Sequence, residues 1–152
     1  VGTLEMHFGA EDSPHASFSA EVSEIDYVGK VNVNRRSIEV TTLDAHFEAR
    51  FPDAAPQIDL IKIDTEGFEV EVLEGAKRTI ERCSPRYIQI EFNLHQIFRG
   101  RSLLQIARML PGYRPFQMLP YGGGLIVRDP KSPLSNIYQF SNFVFVRGDL
   151  QV

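Results

Sequence analysis

The chain has 152 residues, of which 43% are hydrophobic and 24% are charged, and its formal net charge is −4. This length and composition fit one globular domain with one core. The mild negative charge gives no electrostatic reason to expect a nucleic-acid partner, and the nearest basic cluster, Arg99, Arg101 and Arg108, is predicted to coat a solvated helix. No apolar run approaches the roughly 18 residues that a transmembrane helix needs, so no membrane span is expected.

The cysteine content limits the chemistry further. The only cysteine, Cys83, excludes an intramolecular disulfide framework and a cysteine-rich zinc site. A lone thiol suits a reducing compartment, and the first residues have neither the basic region nor the apolar stretch of a signal peptide. We therefore expect a cytoplasmic protein. The sequence opens without methionine, as a processed product or a piece of a longer chain does.

The first third of the chain contains two stretches, residues 3–8 and 37–43, that alternate with the period of two of half-buried strands. A polar stretch rich in small residues, 11–34, separates them. This pattern predicts a strand pair joined by a long excursion. Residues 45–57 then form a short amphipathic segment that ends in a proline-containing loop.

The pattern changes at residues 58–63, where apolar side chains occupy both faces. This is typical of a parallel strand that helices cover on each side. Residues 67–82 are predicted as one helix, because apolar residues recur at intervals of four: Phe68, Val72, Ala76 and Ile80. Acidic residues crowd the first half of this segment and basic residues its end, which agrees with the helix dipole.

The last part of the chain adds more elements. Residues 86–92 are predicted as a second strand, which completes a β-α-β unit with a right-handed crossover. Residues 102–110 are predicted as a second helix. The remaining strands are predicted at 113–119 and 142–146, with a short candidate at 126–127.

Several nucleophile and phosphate motifs do not occur in the sequence. The glycines 122–124 lack a strand before them and a helix after them, so they predict a flexible turn or lid and not a phosphate loop. The sequence contains no serine nucleophile elbow and no zinc-type histidine pair.

Two predicted strand ends carry polar residues of the types that bind ligands and transfer protons. In open α/β sheets, ligands bind beyond the carboxyl ends of the parallel strands. The residues at the two ends are Asp64, Thr65 and Glu66 after the first strand, and Glu91, Asn93 and His95 around the end of the second. Since adjacent strands lie about 4.8 Å apart, the acidic groups of neighbouring ends converge on one small ligand. This convergence predicts the functional site.

Each candidate also has an ordinary structural explanation. Asp64 fits a helix N-cap, and Glu66 and Glu69 fit solvated acids of a first helical turn. Glu91 lies between apolar neighbours, where a carboxylate needs a partner, and Lys62 is one candidate.

Two further alternatives stay open. His95 fits a surface or packing histidine as well as a base. A metal site built from Asp64, Glu66 and Glu91 is conceivable because oxygen ligands suit hard cations, but the spacing is not specific.

The segment 58–76, IDLIKIDTEGFEVEVLEGA, resembles the central signature of the FkbM family of S-adenosylmethionine-dependent methyltransferases. The upstream EVTTLDAHF and the downstream YIQIEFN resemble neighbouring family segments, so the resemblance covers most of residues 37–95, and the closing NFVFVR looks like the last family strand. The resemblance implies an α/β fold, a seven-stranded Rossmann-like class I methyltransferase sheet whose last strand is antiparallel. It also implies O-methylation of a hydroxyl on a sugar or natural product.

The resemblance assigns roles residue by residue. Asp64, Glu66, Gly67 and Glu69 match the DxEGxE motif of the family. Asp64 then ends the fourth strand beside the transferable methyl group, which implies cofactor contacts from Asp64, Thr65 and Glu66.

The second strand end faces the acceptor in this comparison. The residues expected to contact the acceptor are Glu66, Glu69 and Asn93, and the candidate proton acceptors are Asp64, Glu91 and His95. Methyl transfer to a hydroxyl needs positioning and a base, and no metal ligand is assigned.

The sequence departs from the family pattern in one respect. The glycine-rich turn after a first strand and the acidic residue after a second strand, which bind the cofactor in the family, do not occur before Asp59. We therefore expect a single partial domain, with the strand pair and excursion at 1–57 and the C-terminal α/β half at 58–152. It would lack the first strands of the sheet and be inactive alone, and S-adenosylmethionine would bind to the complete protein.

Such a partial sheet has consequences for partners. The strand at 58–63 would be an exposed edge, which predicts self-association through it or its coverage by residues 3–43. Two other classes of function stay open, namely a noncatalytic α/β binding or assembly module and a hydrolase with a metal bound by carboxylates.

Overall fold

The computed structural model describes residues 2–10 and 15–151. Strand β1 (Gly2–Phe8) pairs antiparallel with β2 (Asn34–Val40) in a two-stranded sheet. The predicted strand pair is thus confirmed, although the second strand begins three residues early. The excursion between them contains a 3-10 turn (Glu21–Glu24) and helix α1 (Asp26–Val31), while its start at 11–14 lies outside the described residues.

The second sheet has five strands. Their order is β3 (Leu60–Ile63), β4 (Tyr87–Phe92), β7 (Ser141–Arg147), β5 (Tyr113–Met118) and β6 (Leu125–Val127). Among the strands of the described residues, only β3 and β4 pair in parallel. Because β4 and β5 are each antiparallel to β7, the strands β3, β4 and β5 nevertheless run in one direction, and the last strand is antiparallel to both of its neighbours as expected.

Six helices accompany these strands in the described part of the chain. After α1 they are α2 (Leu43–Arg50), α3 (Glu69–Glu74), α4 (Lys77–Cys83), α5 (His95–Phe98) and α6 (Leu103–Met109). The N-cap residue itself caps two of them, since Thr42 accepts a hydrogen bond from Ala45 N at 3.1 Å and Ser102 from Gln105 N at 3.2 Å. No helix among the described residues is long and apolar enough to span a membrane.

The main core lies on one face of the five-stranded sheet. Its members come from β3, β4, β7 and the helices α3, α4 and α6, and include Ile88, Ile90, Phe92, Leu103 and Phe145. The opposite face has a smaller cluster around Phe116 and Val146. The prediction of helices on both faces of β3 is therefore wrong for the described residues: Leu60 is 52% exposed.

The predicted single helix at 67–82 is also wrong, because it divides into α3 and α4. The carbonyl of Gly75 accepts a hydrogen bond from Asp44 N at 2.8 Å, and a Cβ at Gly75 would lie 3.1 Å from Thr42 Cβ. The connection between β2 and α2 thus packs into the break. A regular apolar period cannot reveal this break, because its cause lies about 30 residues upstream.

The glycine stretch 122–124 forms the turn that joins β5 to β6. Gly122 and Gly124 have φ values of +74° and +83°, and Leu119 N donates to the carbonyl of Gly124 at 2.9 Å. The turn predicted from the sequence is confirmed, and the short strand at 126–127 is real as part of β6.

The edge of the sheet at β3 stays unpaired in the described residues. β3 pairs with β4 alone, while β1 and β2 pair with each other. Residues 3–43 therefore do not cover β3 by pairing with it. Self-association through this edge stays a prediction.

Asp44 caps α4 from a distance. Its Oδ1 accepts hydrogen bonds from Thr79 N at 2.7 Å and Thr79 Oγ1 at 2.8 Å, and its Oδ2 accepts one from Arg78 N at 3.1 Å. Burial opposes ionisation of Asp44, but these hydrogen bonds from Thr79 and Arg78 outweigh it and lower the pKa of the carboxyl. The N-terminus of α4 is thus capped by the carboxylate of Asp44, which belongs to α2.

The substitution Asp44→Asn should lower the free energy of unfolding by about 1 to 2 kcal/mol at pH 7, because one acceptor oxygen becomes an amide NH2 that faces backbone N–H donors and the negative charge at the start of α4 is lost. A lowered pKa in the folded state gives stability that is present above the unfolded pKa of about 3.9 and is lost as the pH falls through the folded value. The difference between wild type and variant should therefore shrink below about pH 4. Urea unfolding at pH 7 and pH 3 measures it. Asp53→Asn, at an exposed position in a turn, is the control, and a pH-independent difference for Asp44→Asn would contradict the prediction.

Candidate active site

The carboxyl ends of β3 and β4 bring the predicted acidic residues together. Lys62 lies opposite Gln89 and Ile63 opposite Ile90, so Asp64 and Glu91 follow at neighbouring strand ends. One carboxylate oxygen from each of Asp64, Glu66 and Glu91 lies within 4.8 Å of the others. The convergence predicted from strand adjacency is therefore present, on the side of β4 that faces away from the main core.

The loop after β3 has an unusual backbone. Glu66 and Gly67 have φ values of +52° and +98°. Glu69 stabilises this loop from inside, since its Oε1 accepts hydrogen bonds from Thr65 N at 3.0 Å, Thr65 Oγ1 at 3.1 Å and Gly67 N at 3.2 Å. Its Oε2 accepts a hydrogen bond from Gln96 Nε2 at 2.5 Å. Glu69 is only 1% exposed; its Oε1 binds the loop, and its Oε2 binds α5 through Gln96.

The carbonyl groups of the same loop also have partners. Ser17 Oγ donates to the carbonyl of Glu66 at 2.7 Å, and Arg99 Nε donates to the carbonyl of Gly67 at 3.2 Å. Arg99 and Arg101 both donate to Glu71 Oε1, at 2.5 and 2.7 Å. The prediction that these two arginines coat a solvated helix is wrong, because they link α5 and the loop after it to α3.

Glu91 is a buried carboxyl with a partner that the sequence did not suggest. It is 5% exposed, and its Oε2 accepts a hydrogen bond from Asn93 Nδ2 at 2.8 Å. Burial, together with repulsion from Glu66, Asp64 and Glu69, raises the pKa of Glu91 to about 8. The carboxyl therefore retains its proton over much of the neutral range and is a stronger base than an ordinary carboxylate once ionised.

Lys62 and Asp64 form the outer edge of the cluster. Lys62 Nζ donates to Asp64 Oδ2 at 2.6 Å in an exposed position, so the lysine pairs with Asp64 and not with Glu91. Asp64 is not a helix N-cap, because α3 begins at Glu69. Its side chain is available to solvent and to a ligand.

His95 lies behind Glu66. Its side chain is 2% exposed, and its Nδ1 lies 2.7 Å from Glu66 Oε2 without the alignment of a hydrogen bond. Neither ring nitrogen has a hydrogen-bond partner among the described residues. The backbone N–H of His95 donates to Asn93 Oδ1 at 2.9 Å, which fixes the start of α5.

Three residues that position the site were missed by the sequence reasoning: Ser17, Gln96 and Arg99. Ser17 comes from the polar excursion, where no periodic signal exists. Gln96 lies in the short helix α5 and Arg99 directly follows it, and α5 has no apolar stripe long enough to predict. The one available signal was the density of polar side chains directly after β4.

A cavity of about 330 Å³ lies beside the loop, between the two-stranded sheet and α3. Apolar side chains dominate its wall, among them Leu4, Phe18, Phe68 and Val72, and Thr65 is one of its polar residues. The cavity thus reaches the loop that carries Asp64.

Comparison with known proteins connects this geometry to a family. The family model described as "Methyltransferase FkbM domain" matches residues 2–115, which is about three quarters of the chain. A 2-O-methyltransferase NoeI from Sinorhizobium fredii is 26% identical over 115 residues, which cover 74% of this chain and 43% of that protein. The chain therefore spans less than half the length of this relative. No solved structure matches the chain significantly. Because the family match includes the strand pair, both strand ends and the loop between them, the chain belongs to the FkbM methyltransferase domain family.

Proposed function

We propose that the site takes part in transfer of a methyl group from S-adenosylmethionine to a hydroxyl of a sugar or natural-product acceptor. The observation that carries the proposal is the convergence of Asp64, Glu66 and Glu91 at the ends of β3 and β4, in a chain of this family. The name of the relative, a 2-O-methyltransferase, supports oxygen as the methyl acceptor. Family membership also favours this function over the noncatalytic and hydrolase alternatives.

The proposed reaction is an in-line displacement. The acceptor oxygen forms a bond to the methyl carbon while the bond from carbon to the sulfonium sulfur breaks, which leaves S-adenosylhomocysteine. The hydroxyl proton passes to an ionised carboxylate of the cluster. We assign this role to Glu91 in the molecules in which it has lost its proton, a fraction that grows as the pH approaches its pKa of about 8, with Asp64 as the second candidate. Asp64, Thr65 and Glu66 lie on the proposed cofactor side, and Glu66 and Asn93 on the acceptor side.

Two roles change from those expected from the sequence. His95 is buried behind Glu66, so we propose it as a positioning residue for that carboxylate and not as the direct base. Glu69 has no oxygen left for an acceptor, so we propose that it shapes the loop. The cavity beside Thr65 is the proposed place for an apolar part of the acceptor.

We further propose that the five-stranded sheet is part of a Rossmann-like methyltransferase sheet. The common direction of β3, β4 and β5 and the antiparallel β7 between β4 and β5 support this assignment. The short match to the relative supports a second proposal, that the chain alone binds the cofactor weakly and is inactive. A reducing compartment such as the cytoplasm suits the free Cys83.

Calorimetric titration with S-adenosylmethionine and S-adenosylhomocysteine tests this proposal. We expect a dissociation constant of about 1 mM or weaker for the chain alone. At about 5 Å, even the dielectric constant of water leaves about 0.8 kcal/mol between a carboxylate and the sulfonium charge, which favours S-adenosylmethionine by about fourfold.

The variant Asp64→Asn should reduce this preference, whereas Asp53→Asn, which changes an exposed acid in a turn after α2, should keep it. Equal affinity for the two compounds would contradict a sulfonium position beside the carboxylates. Micromolar binding of S-adenosylmethionine would contradict the proposed weakness of the chain alone.

A further inference from the structure

We propose that Asp64, Glu66 and Glu91 together bind one hard divalent cation, such as Mg²⁺ or Mn²⁺. Their three carboxylate oxygens lie within 4.8 Å of one another. Oxygen ligands of such ions lie at about 2.0 to 2.6 Å, so ligands on opposite sides of one ion are about 4 to 5 Å apart. Neighbouring ligands of one ion are closer, about 2.8 to 3.7 Å apart, so the three carboxylates would close around the ion from the spacing observed.

The partners of the three carboxylates provide an independent argument. Two of the carboxylates accept a hydrogen bond on one oxygen from a group outside the cluster, Asp64 Oδ2 from Lys62 and Glu91 Oε2 from Asn93. At the third, Glu66 Oε2 lies 2.7 Å from His95 Nδ1. The other oxygen of each accepts no hydrogen bond from the described residues. Groups that hold one oxygen of a ligating carboxylate are a regular feature around metal ions.

The burial of His95 and its lack of hydrogen bonds also support a bound cation. Its imidazole is 2% exposed and makes no hydrogen bond within the described residues, although its Nδ1 lies 2.7 Å from Glu66 Oε2. Buried polar groups normally have partners, so an imidazole of this kind needs an explanation. A cation that binds the free oxygen of Glu66 would turn the carboxylate and allow Nδ1–H to donate to Oε2.

The charge and the ligand types define which cation fits. Three carboxylates carry up to three negative charges, and Lys62 compensates one of them from the outside. A donor set of oxygens alone favours Mg²⁺, Mn²⁺ or Ca²⁺ over zinc or copper, which prefer imidazole and thiolate. Water completes the coordination sphere from the side of Asp64, whose side chain is the most exposed of the three.

The consequence for catalysis rests on the proposed methyl transfer. A cation at this position would bind the acceptor hydroxyl, orient it and ease the loss of its proton. Cation binding itself needs neither cofactor nor acceptor, so it can be measured separately.

Titration of the chain with Mn²⁺, followed by the loss of the free-ion electron paramagnetic resonance signal, tests the inference. We expect one saturable site with a dissociation constant of about 0.1 to 1 mM, from which Mg²⁺ displaces Mn²⁺. Asp64→Asn should weaken binding at least about tenfold. This variant changes an exposed side chain, so the fold should survive, and circular dichroism checks that it does.

Asp53→Asn is the matched control and should bind Mn²⁺ like wild type. The absence of saturable binding below about 10 mM would overturn the inference, as would equal binding by Asp64→Asn and wild type. Because the titration contains no S-adenosylmethionine, these outcomes do not depend on the methyl-transfer proposal. Conversely, the cofactor titrations are done with a chelator and do not depend on the cation.

Discussion

The variant Glu69→Ala should lose about 3 to 5 kcal/mol of unfolding free energy, because each buried donor left without an acceptor costs about 1 to 3 kcal/mol. Glu69 accepts hydrogen bonds from the backbone of Thr65 and Gly67 and from the side chain of Gln96. Thr65 Oγ1 donates to Glu69 as well, so alanine removes four accepted hydrogen bonds at once. Urea unfolding followed by circular dichroism measures the loss.

Two companion variants show which property of Glu69 matters. In Glu69→Gln, the remaining carbonyl oxygen can accept from the loop, and Gln96, whose Oε1 is buried and unpartnered in the described residues, can turn its amide to accept from the new side chain. This variant should therefore lose much less stability than Glu69→Ala. Glu74→Ala, on an exposed position at the end of α3, should stay within about 0.5 kcal/mol of wild type. Equal losses in the two Glu69 variants would contradict a role based on hydrogen bonding.

The variant Gly67→Ala should lose about 3 kcal/mol or more, because backbone strain and steric overlap add at this position. Its φ of +98° is unfavourable for any residue with a Cβ, and that atom would lie 3.0 Å from Val22 Cγ2 and 3.2 Å from His95 Cβ. The loop and α5 would have to separate, so the site should be disturbed as well. Chemical denaturation measures the loss.

Gly100→Ala separates the two causes. Gly100 also has a positive φ, +61°, but a Cβ there would meet no atom within 4 Å. This variant should lose only about 1 to 2 kcal/mol, from backbone strain alone. If Gly67→Ala were no more destabilising than Gly100→Ala, the close packing of the loop on α5 would be disproved.

The β-α-β unit could be predicted because its signals are local. The apolar run at 58–63, the charged and apolar pattern of 67–82 and the strand at 86–92 each lie within one segment. The break at Gly75 could not be predicted, since it depends on Thr42 and Asp44 from another part of the chain. The exposure of one face of β3 could not be predicted either, because an apolar run does not tell how many layers cover a strand.

In the candidate site too, some features could be predicted from the sequence and others could not. Convergence of Asp64 and Glu91 follows from strand adjacency, which the sequence suggested. The burial of His95 and the inward direction of Glu69 depend on how the loop turns at Glu66 and Gly67, and no periodic pattern encodes this turn. The contacts of Ser17 and Arg99 join segments far apart in the chain, so only the folded structure reveals them.

The most direct test of the account is to map where S-adenosylmethionine binds, by titration of ¹⁵N-labelled chain in the presence of a chelator. We expect amide shift changes at residues 64–67 and 93–95 that rise over the millimolar range, are larger than those with S-adenosylhomocysteine, and are weakened in Asp64→Asn. Weak affinity does not prevent this measurement, because the amide shift changes identify the binding residues even when the site is only partly occupied. A second cavity lies between α2 and α4, lined by Phe47, Thr79 and Arg82 among others. Changes confined to that cavity or to another region, or no changes at any residue, would contradict the assignment of the site to the ends of β3 and β4.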